Sequence, residues 1–185
     1  APESLVIGMD FSETAKLSLS INVSAQEFKQ DNYVAQVLSV LERSGAKPSL
    51  LKLELTESML VDDVDDIISK MTALKAAGVR ISLDDFGTGY SSLAYLKRFQ
   101  VSKLKVDRSF VQDITDDEED RAIADAIVRM GQSLKLRVIA EGVETRAQLD
   151  YLTGIGCHEA QGFLLSRPVE VAALYHMMTG RAAPH

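Results

Sequence analysis

The sequence contains a single cysteine, Cys157, among its 185 residues. One cysteine can form neither an internal disulfide nor a cluster of thiolate metal ligands, which fits a reducing compartment. No apolar run approaches the roughly 20 residues needed to span a bilayer. Residues 1–20 also lack a basic segment followed by an apolar stretch and a small-residue cleavage site. We therefore expect a cytoplasmic protein, with any membrane anchor of a longer parent lying outside this sequence.

Positive charge is also scarce. The chain has 20 Lys and Arg against 27 Asp and Glu, which gives a formal net charge of −7. Proteins that coat DNA or RNA use Lys and Arg to displace counterions from phosphates, so a polynucleotide partner is not expected. The acidic excess fits a role in solubility, and it fits equally well a protein that gathers carboxylates around divalent cations.

Low-complexity tracts and Pro-, Gly- or Ser-rich linkers are missing as well. The chain is 46% hydrophobic and 25% charged, as an ordinary globular domain is. We expect one domain over residues 1–185, with a frayed tail at Thr179–His185.

Short apolar stretches alternate with longer segments of helical periodicity, the pattern of repeated βα units. The predicted strands are Lys16–Val23, Leu51–Leu55, Val79–Asp84, Lys103–Val106, Leu136–Ala140 and His158–Leu164. A capping box at Ser24 and Glu27 predicts a helix that continues through Leu41 to a stop at Gly45, and Thr145 with Gln148 predicts a second capped helix. Two further helices are predicted over Asp62–Ala77 and Asp117–Leu134.

Polar residues occupy one face of these strands. In the first strand Ser18, Ser20 and Asn22 alternate with apolar residues, and the later strands repeat the split. A doubly wound sheet buries both strand faces and reads as continuous apolar sequence, whereas a parallel barrel has helices outside and its active site at the C-terminal ends of the strands. The pattern favours a barrel whose rim gathers polar side chains from successive strand ends: Asn22, Glu54, Asp84, Lys105, Asp107 and Glu141.

Such a rim suggests a metal site. Taken singly, an inward Glu or Lys fits a structural ion pair, but several carboxylates around one Lys repel one another unless a cation compensates. Oxygen ligands without His or Cys indicate Mg²⁺ or Mn²⁺. The adjacent Asp84 and Asp85 could reach two ions about 3.5–4 Å apart, the spacing of two-metal phosphoryl chemistry, and the glycines of Phe86–Ser92 suggest a mobile loop that orders the site.

Six segments in order resemble the motif series of EAL-domain cyclic di-GMP phosphodiesterases, which have a TIM-like (β/α)8 barrel. They are Ile21–Ser24, Glu54–Ser58, Asp84–Leu93, Leu104–Asp107, Ala140–Thr145 and Gln161–Phe163. The resemblance covers almost the whole chain, so we identify the sequence as a member of this family.

The resemblance implies a role for each matching residue. Two ions, Mg²⁺ or Mn²⁺, would be held by Asn22, Glu54, Asp84, Asp85 and Glu141. Lys105 would contact the attacking water, Glu141 would be the general base, and Glu57 would anchor the loop after Asp85. Asp107, Glu144 and Gln161 would complete the site around metal, water and guanine. The implied reaction converts cyclic di-GMP into linear pGpG, in a homodimer fused to sensory or GGDEF domains.

The sequence departs from the family pattern at its beginning. A complete barrel of this type has eight strands in about 250 residues, and we count six predicted strands and no Glu-Ala-Leu tripeptide. Either the chain is a fragment of a longer protein, or it is a naturally shortened relative that cannot hold both metals fully; the retained motifs favour the fragment. We expect little or no turnover from this chain on its own, and exposed apolar strand edges. Two alternatives stay open: a cyclic di-GMP receptor without hydrolysis, and an unrelated barrel enzyme that abstracts a proton with Lys105 as base.

Overall fold

In a computed structural model, the structure describes residues 18–60, 63–88, 96–170, 172–174 and 176. The chain divides into two units, one of residues 19–167 and one formed by residues 1–18 together with 168–185. The first unit contains every strand of the described chain. The first two residues of the predicted strand Lys16–Val23, the loop beyond Thr88 and the predicted tail at Thr179–His185 lie outside the described residues.

Six parallel strands form one sheet in the order β1-β2-β3-β4-β5-β6, so each strand pairs with its neighbours in sequence. The strands are β1 (Leu19–Asn22), β2 (Leu51–Thr56), β3 (Arg80–Phe86), β4 (Lys103–Val106), β5 (Arg137–Ala140) and β6 (Glu159–Ala160). The α-helices are α1 (Ala25–Phe28), α2 (Tyr33–Ser44), α3 (Val64–Ala76), α4 (Ser109–Gln112), α5 (Glu118–Ser133) and α6 (Arg146–Gly154). Short 3₁₀ helices span Pro48–Leu50 and Glu57–Leu60. This sequential order is that of a βα barrel, whereas a doubly wound sheet reverses its strand order at a switch point.

Alternation along the strands sets the core, as predicted. Leu53 and Leu55 of β2 are buried while Lys52 and Glu54 are partly exposed. The buried face packs under residues of α3 and α5, among them Ile67, Met71, Leu74, Ala124, Ile127 and Val128. In β1 the alternation does not produce burial, because Leu19 and Ile21 remain 55% and 43% exposed. Within the described chain this strand lies at the edge of the sheet and pairs with β2 alone, which fits the expected exposure of apolar strand edges.

The prediction of one helix from Ser24 through Leu41 is wrong. The capping box forms, with Ser24 Oγ accepting from Glu27 N, but α1 ends at Phe28 and α2 begins only at Tyr33. The polar residues between them, Gln30-Asp31-Asn32, favour a turn because Asn and Asp side chains compete with helical hydrogen bonds. The break brings the Phe28 and Tyr33 rings to a centroid distance of 5.3 Å.

The other boundaries follow the sequence more closely. Gly45 ends α2 in a left-handed conformation, Asp117 caps α5, and Thr145 with Gln148 forms the second capping box before α6. The last strand is shorter than predicted, since β6 covers Glu159–Ala160 rather than His158–Leu164. In the described part of the chain, no helix has the length and apolar character needed to cross a membrane.

Candidate metal and phosphodiester site

The ends of β2 to β5 bring four charged side chains into contact, which we call the Lys105 cluster. Lys105 Nζ lies 2.7 Å from Glu54 Oε2, 2.9 Å from Asp84 Oδ2 and 2.5 Å from Glu141 Oε1. The side chain of Lys105 is only 6% exposed. Four strands therefore deliver these groups to one point, as the rim prediction requires.

Negative charge exceeds positive charge in the Lys105 cluster, because three carboxylates share one ammonium group. Burial alone would lower the pKa of Lys105, but its hydrogen bonds to Glu141, Glu54 and Asp84 outweigh burial and raise the pKa above its ordinary value. Lys105 is thus held protonated. Burial raises the pKa of Glu141, against the opposing effect of Lys105, and the charges of Asp84 and Glu54 raise it further.

An irregularity in β3 places two adjacent aspartates together. Between Leu83 and Phe86 the register with β4 shifts, and Asp85 adopts φ +53°, the left-handed region. In a regular strand neighbouring side chains point to opposite faces, but a bulge re-aims them. As a result Asp84, Asp85 and Glu141 each offer a carboxylate oxygen, and these oxygens lie within 4.8 Å of one another. The sequence predicted that Asp84 and Asp85 act together, but it did not predict the bulge.

The surroundings of Asp85 disfavour the negative charge of its carboxylate. Its pKa is raised by burial, then by the charges of Asp84 and Asp107, and by a hydrogen bond shared with Asp107. For Asp107, burial is outweighed by hydrogen bonds from Ser109 Oγ and N, which lower the pKa. The two pKa shifts thus have opposite directions, and burial together with crowding by neighbouring carboxylates is what disfavours the negative charge of Asp85. A divalent cation bound there would compensate that crowding.

The buried carboxylate of Glu57 contacts the backbone that follows Asp85. Glu57 is 3% exposed, and its Oε2 accepts a hydrogen bond of 2.8 Å from the N–H of Gly87. Gly87 has φ +105°, and a Cβ there would lie 2.9 Å from Ile127 Cδ1. The turn at Gly87 thus requires glycine, and the Glu57 carboxylate ties it to the end of β2.

The remaining predicted site residues lie on the neighbouring strand ends and loops. Asn22 ends β1 and is the register partner of Glu54. Glu144 pairs with Arg108, whose Nη2 lies 2.9 Å from Glu144 Oε1. Gln161 has an exposed side chain, while its N–H donates to Ala140 O at 2.8 Å. The structure therefore brings Glu54, Asp84, Lys105 and Glu141 into direct contact, with Asp85 beside them.

Sequence reasoning missed a second group of charges in the sheet. Glu159 of β6 accepts from Lys103 Nζ, and its Oε1 lies 3.2 Å from Arg137 Nε. Burial alone would raise the pKa of Glu159, but the contacts with Lys103 and Arg137 outweigh burial and lower the pKa. The polar faces of β4 and β5 indicated Lys103 and Arg137, but only the pairing of β6 with β5 brings Glu159 to them.

The donor set fits a divalent cation. Its oxygens come from carboxylates within the described residues, and such ligands suit hard cations. Glu141 Oε1 is buried and, apart from the Lys105 ammonium group, has no donor among the described residues. Glu141 Oε1 can therefore accept a further partner, and a divalent metal ion would be such a partner.

Comparison with known proteins gives the family. A family model described as EAL domain matches residues 7–168. MucR of Pseudomonas aeruginosa, a bifunctional diguanylate cyclase/cyclic di-GMP phosphodiesterase, is 47% identical over 160 residues, which make up 86% of this chain and 23% of that protein. The chain thus spans about a quarter of the length of this relative.

Solved structures agree with the sequence relationship. The PaMucR phosphodiesterase in complex with c-di-GMP matches with a TM-score of 0.84 at 47% identity, over 86% of this chain and 65% of that one. Klebsiella pneumoniae BlrP1 with manganese and c-di-GMP matches with a TM-score of 0.74 at 36% identity, over 82% of this chain and 39% of that one. The six strands are therefore part of a TIM-like (β/α)8 barrel of the EAL type, and the chain belongs to the EAL domain family.

Proposed function

We propose that the full-length protein carrying this chain hydrolyses cyclic di-GMP to linear pGpG at the rim formed by β2 to β5. The observation that carries the proposal is the Lys105 cluster, in which one protonated amine and three carboxylates meet beside Asp85. The relatives support it, since MucR is a cyclic di-GMP phosphodiesterase and its phosphodiesterase structure contains c-di-GMP.

The metal ligands we propose are Asn22, Glu54, Asp84, Asp85 and Glu141, for two ions of Mg²⁺ or Mn²⁺. BlrP1 structures with manganese or calcium and c-di-GMP support a divalent ion, and the oxygen donors favour Mg²⁺ or Mn²⁺. When bound, two such ions neutralise phosphate charge and lower the pKa of the attacking water. The bulge at Asp85 supports this ligand set, because it turns two consecutive carboxylates toward Glu141.

Each residue of the rim has a task in the proposed reaction. Glu141 takes the proton of the attacking water, and its raised pKa suits a general base. As the water oxygen bonds to phosphorus, the bond from phosphorus to the 3′ oxygen breaks, and that oxygen takes a proton from solvent to become the 3′ hydroxyl of pGpG. Lys105 stays protonated and supplies fixed positive charge next to the water and the phosphate.

The surrounding residues position these groups. Glu57 holds the turn at Gly87 and so keeps Asp85 in its left-handed conformation. Asp107, Glu144 and Gln161 lie on the neighbouring strand ends and loops, where we place contacts to water and guanine. We further propose that residues 1–185 belong to a single EAL domain of a cytoplasmic homodimer. Sensory or GGDEF domains of the same protein would accompany it, as the bifunctional activity of MucR suggests.

The test is release of pGpG from cyclic di-GMP by the full-length protein with Mg²⁺ or Mn²⁺, followed by chromatography. Glu141→Gln keeps the size of the side chain but removes the base, so turnover is expected to fall by about 10²–10⁴-fold. Glu118→Gln, an exposed change in the first turn of α5, is the matched control. Metal-dependent binding of cyclic di-GMP without turnover would instead support the receptor function. Absence of cyclic di-GMP binding would contradict both the phosphodiesterase and the receptor.

A further inference from the structure

Arg108 joins the loop after β4 to the loop after β5. Gly142 follows Glu141 with φ +69°, and a Cβ placed on it would lie 2.3 Å from Arg108 Cγ and 2.9 Å from Cδ. The aliphatic part of Arg108 therefore lies directly on the Gly142 backbone. At its far end the guanidinium group is paired with Glu144.

A second contact joins the same two segments. Gln148 is 5% exposed, and its Oε1 accepts hydrogen bonds of 2.8 Å from Glu144 N and 2.9 Å from Thr145 N. Its Nε2 donates at 2.8 Å to the carbonyl of Gln112, at the end of α4. The segment after β4 is thus tied to the segment after β5 at both of its ends.

The two segments begin with groups of the site, Asp107 before Arg108 and Glu141 before Gly142. The pair of Arg108 and Glu144 is 55% and 41% exposed, so it adds little to the stability of the fold. Arg108 instead affects the geometry of the site, because its aliphatic stem limits where the backbone next to Glu141 can lie. Displacement of a catalytic group by about 1 Å can cost about 100-fold in rate.

We infer that Arg108, through the aliphatic stem that packs on Gly142, is a positioning residue that fixes Glu141 relative to Asp107 and Lys105. Gly142 meets two needs of this contact: it takes a left-handed φ without strain, and it leaves room for the arginine stem. The inference rests on the proposed function, since it assigns Glu141 a task at the rim.

The test is a double-mutant cycle in the full-length protein, with pGpG release and Mn²⁺ binding by titration calorimetry as readouts. In Gly142→Ala the new methyl group overlaps Arg108 Cγ and displaces the backbone beside Glu141, so both turnover and Mn²⁺ affinity are expected to fall at least about tenfold. Arg108→Ala removes the two closest overlapping atoms and leaves only Cβ, 3.0 Å away. The double variant should therefore recover several-fold over Gly142→Ala. Losses that simply add would overturn the inference.

Arg108→Met tests the aliphatic stem of Arg108 separately from its guanidinium charge, in a protein that keeps Gly142. It keeps the aliphatic chain, so its Mn²⁺ affinity should stay within about twofold of the wild type, whereas Arg108→Ala loses more. Equal losses in the two variants would overturn the inference. Arg146→Ala, which removes an exposed arginine paired with Asp150 in α6, is the matched control. Mn²⁺ binding without turnover in the wild type would contradict the proposed phosphodiesterase alone, and absence of Mn²⁺ binding would contradict both.

Discussion

Removing the carboxylate of Glu57 should weaken metal binding without touching a proposed metal ligand. The buried Glu57 carboxylate accepts from Gly87 N at 2.8 Å, and a hydrogen bond to a charged group contributes about 1.5–3 kcal/mol. Without this hydrogen bond the turn is less ordered, so a metal that binds through Asp85 must also order the turn. The free energy of ordering the turn then reduces the metal affinity. A loss of about 2 kcal/mol corresponds to about 30-fold in affinity. We therefore expect Glu57→Ala to raise the Mn²⁺ concentration at half-maximal turnover by about that factor.

Two further variants refine this prediction. Glu57→Gln keeps an acceptor oxygen but no charge, so its loss should fall between Glu57→Ala and the wild type. Asp65→Asn is the control, because it breaks an ion pair with Arg98 in which both side chains are more than half exposed. Its effect on the Mn²⁺ requirement should be less than about twofold. An unchanged Mn²⁺ requirement in Glu57→Ala would refute the coupling between the turn and the metal ligands.

Three other predictions concern stability and completeness. Lys105→Met leaves three partly buried carboxylates, those of Glu54, Asp84 and Glu141, without their shared positive charge. The free energy of unfolding should therefore fall by about 3 kcal/mol. Mn²⁺ should raise the melting temperature more in the variant than in the wild type, and an equal rise would contradict this. Burial and the charge of Glu27 raise the pKa of Tyr33 to about 12, whereas the pKa of an unfolded tyrosine is about 10. The contribution of the protonated Tyr33 hydroxyl to stability is therefore complete below about pH 10 and is lost as the pH approaches about 12. In urea unfolding Tyr33→Phe should accordingly lose less stability than the wild type over that range, and parallel losses would refute the assignment. The 185-residue chain assayed alone should show little or no turnover, whereas robust pGpG release would show that it holds every group the reaction needs.

Much of the fold could be read from the sequence because local rules set it. The strand β4 was predicted with its observed limits, and α5 within one residue at either end. Hydrophobic alternation and capping residues act over a few positions, so they can be recognised without tertiary information. The helix after Ser24 was mispredicted because its apolar periodicity continues across the turn that separates α1 from α2.

The sequence by itself determined the residue types of the rim and the strand ends that carry them, including Glu54, Asp84, Lys105 and Glu141. Parallel strands place their C-terminal ends at one edge, so the gathering of these groups follows from strand order. Only the tertiary structure decided how they meet. The bulge at Asp85, the bond from Glu57 to Gly87 and the stem of Arg108 on Gly142 depend on backbone angles and on contacts between distant segments. No short stretch of sequence encodes such distances, because each depends on how two separate loops pack.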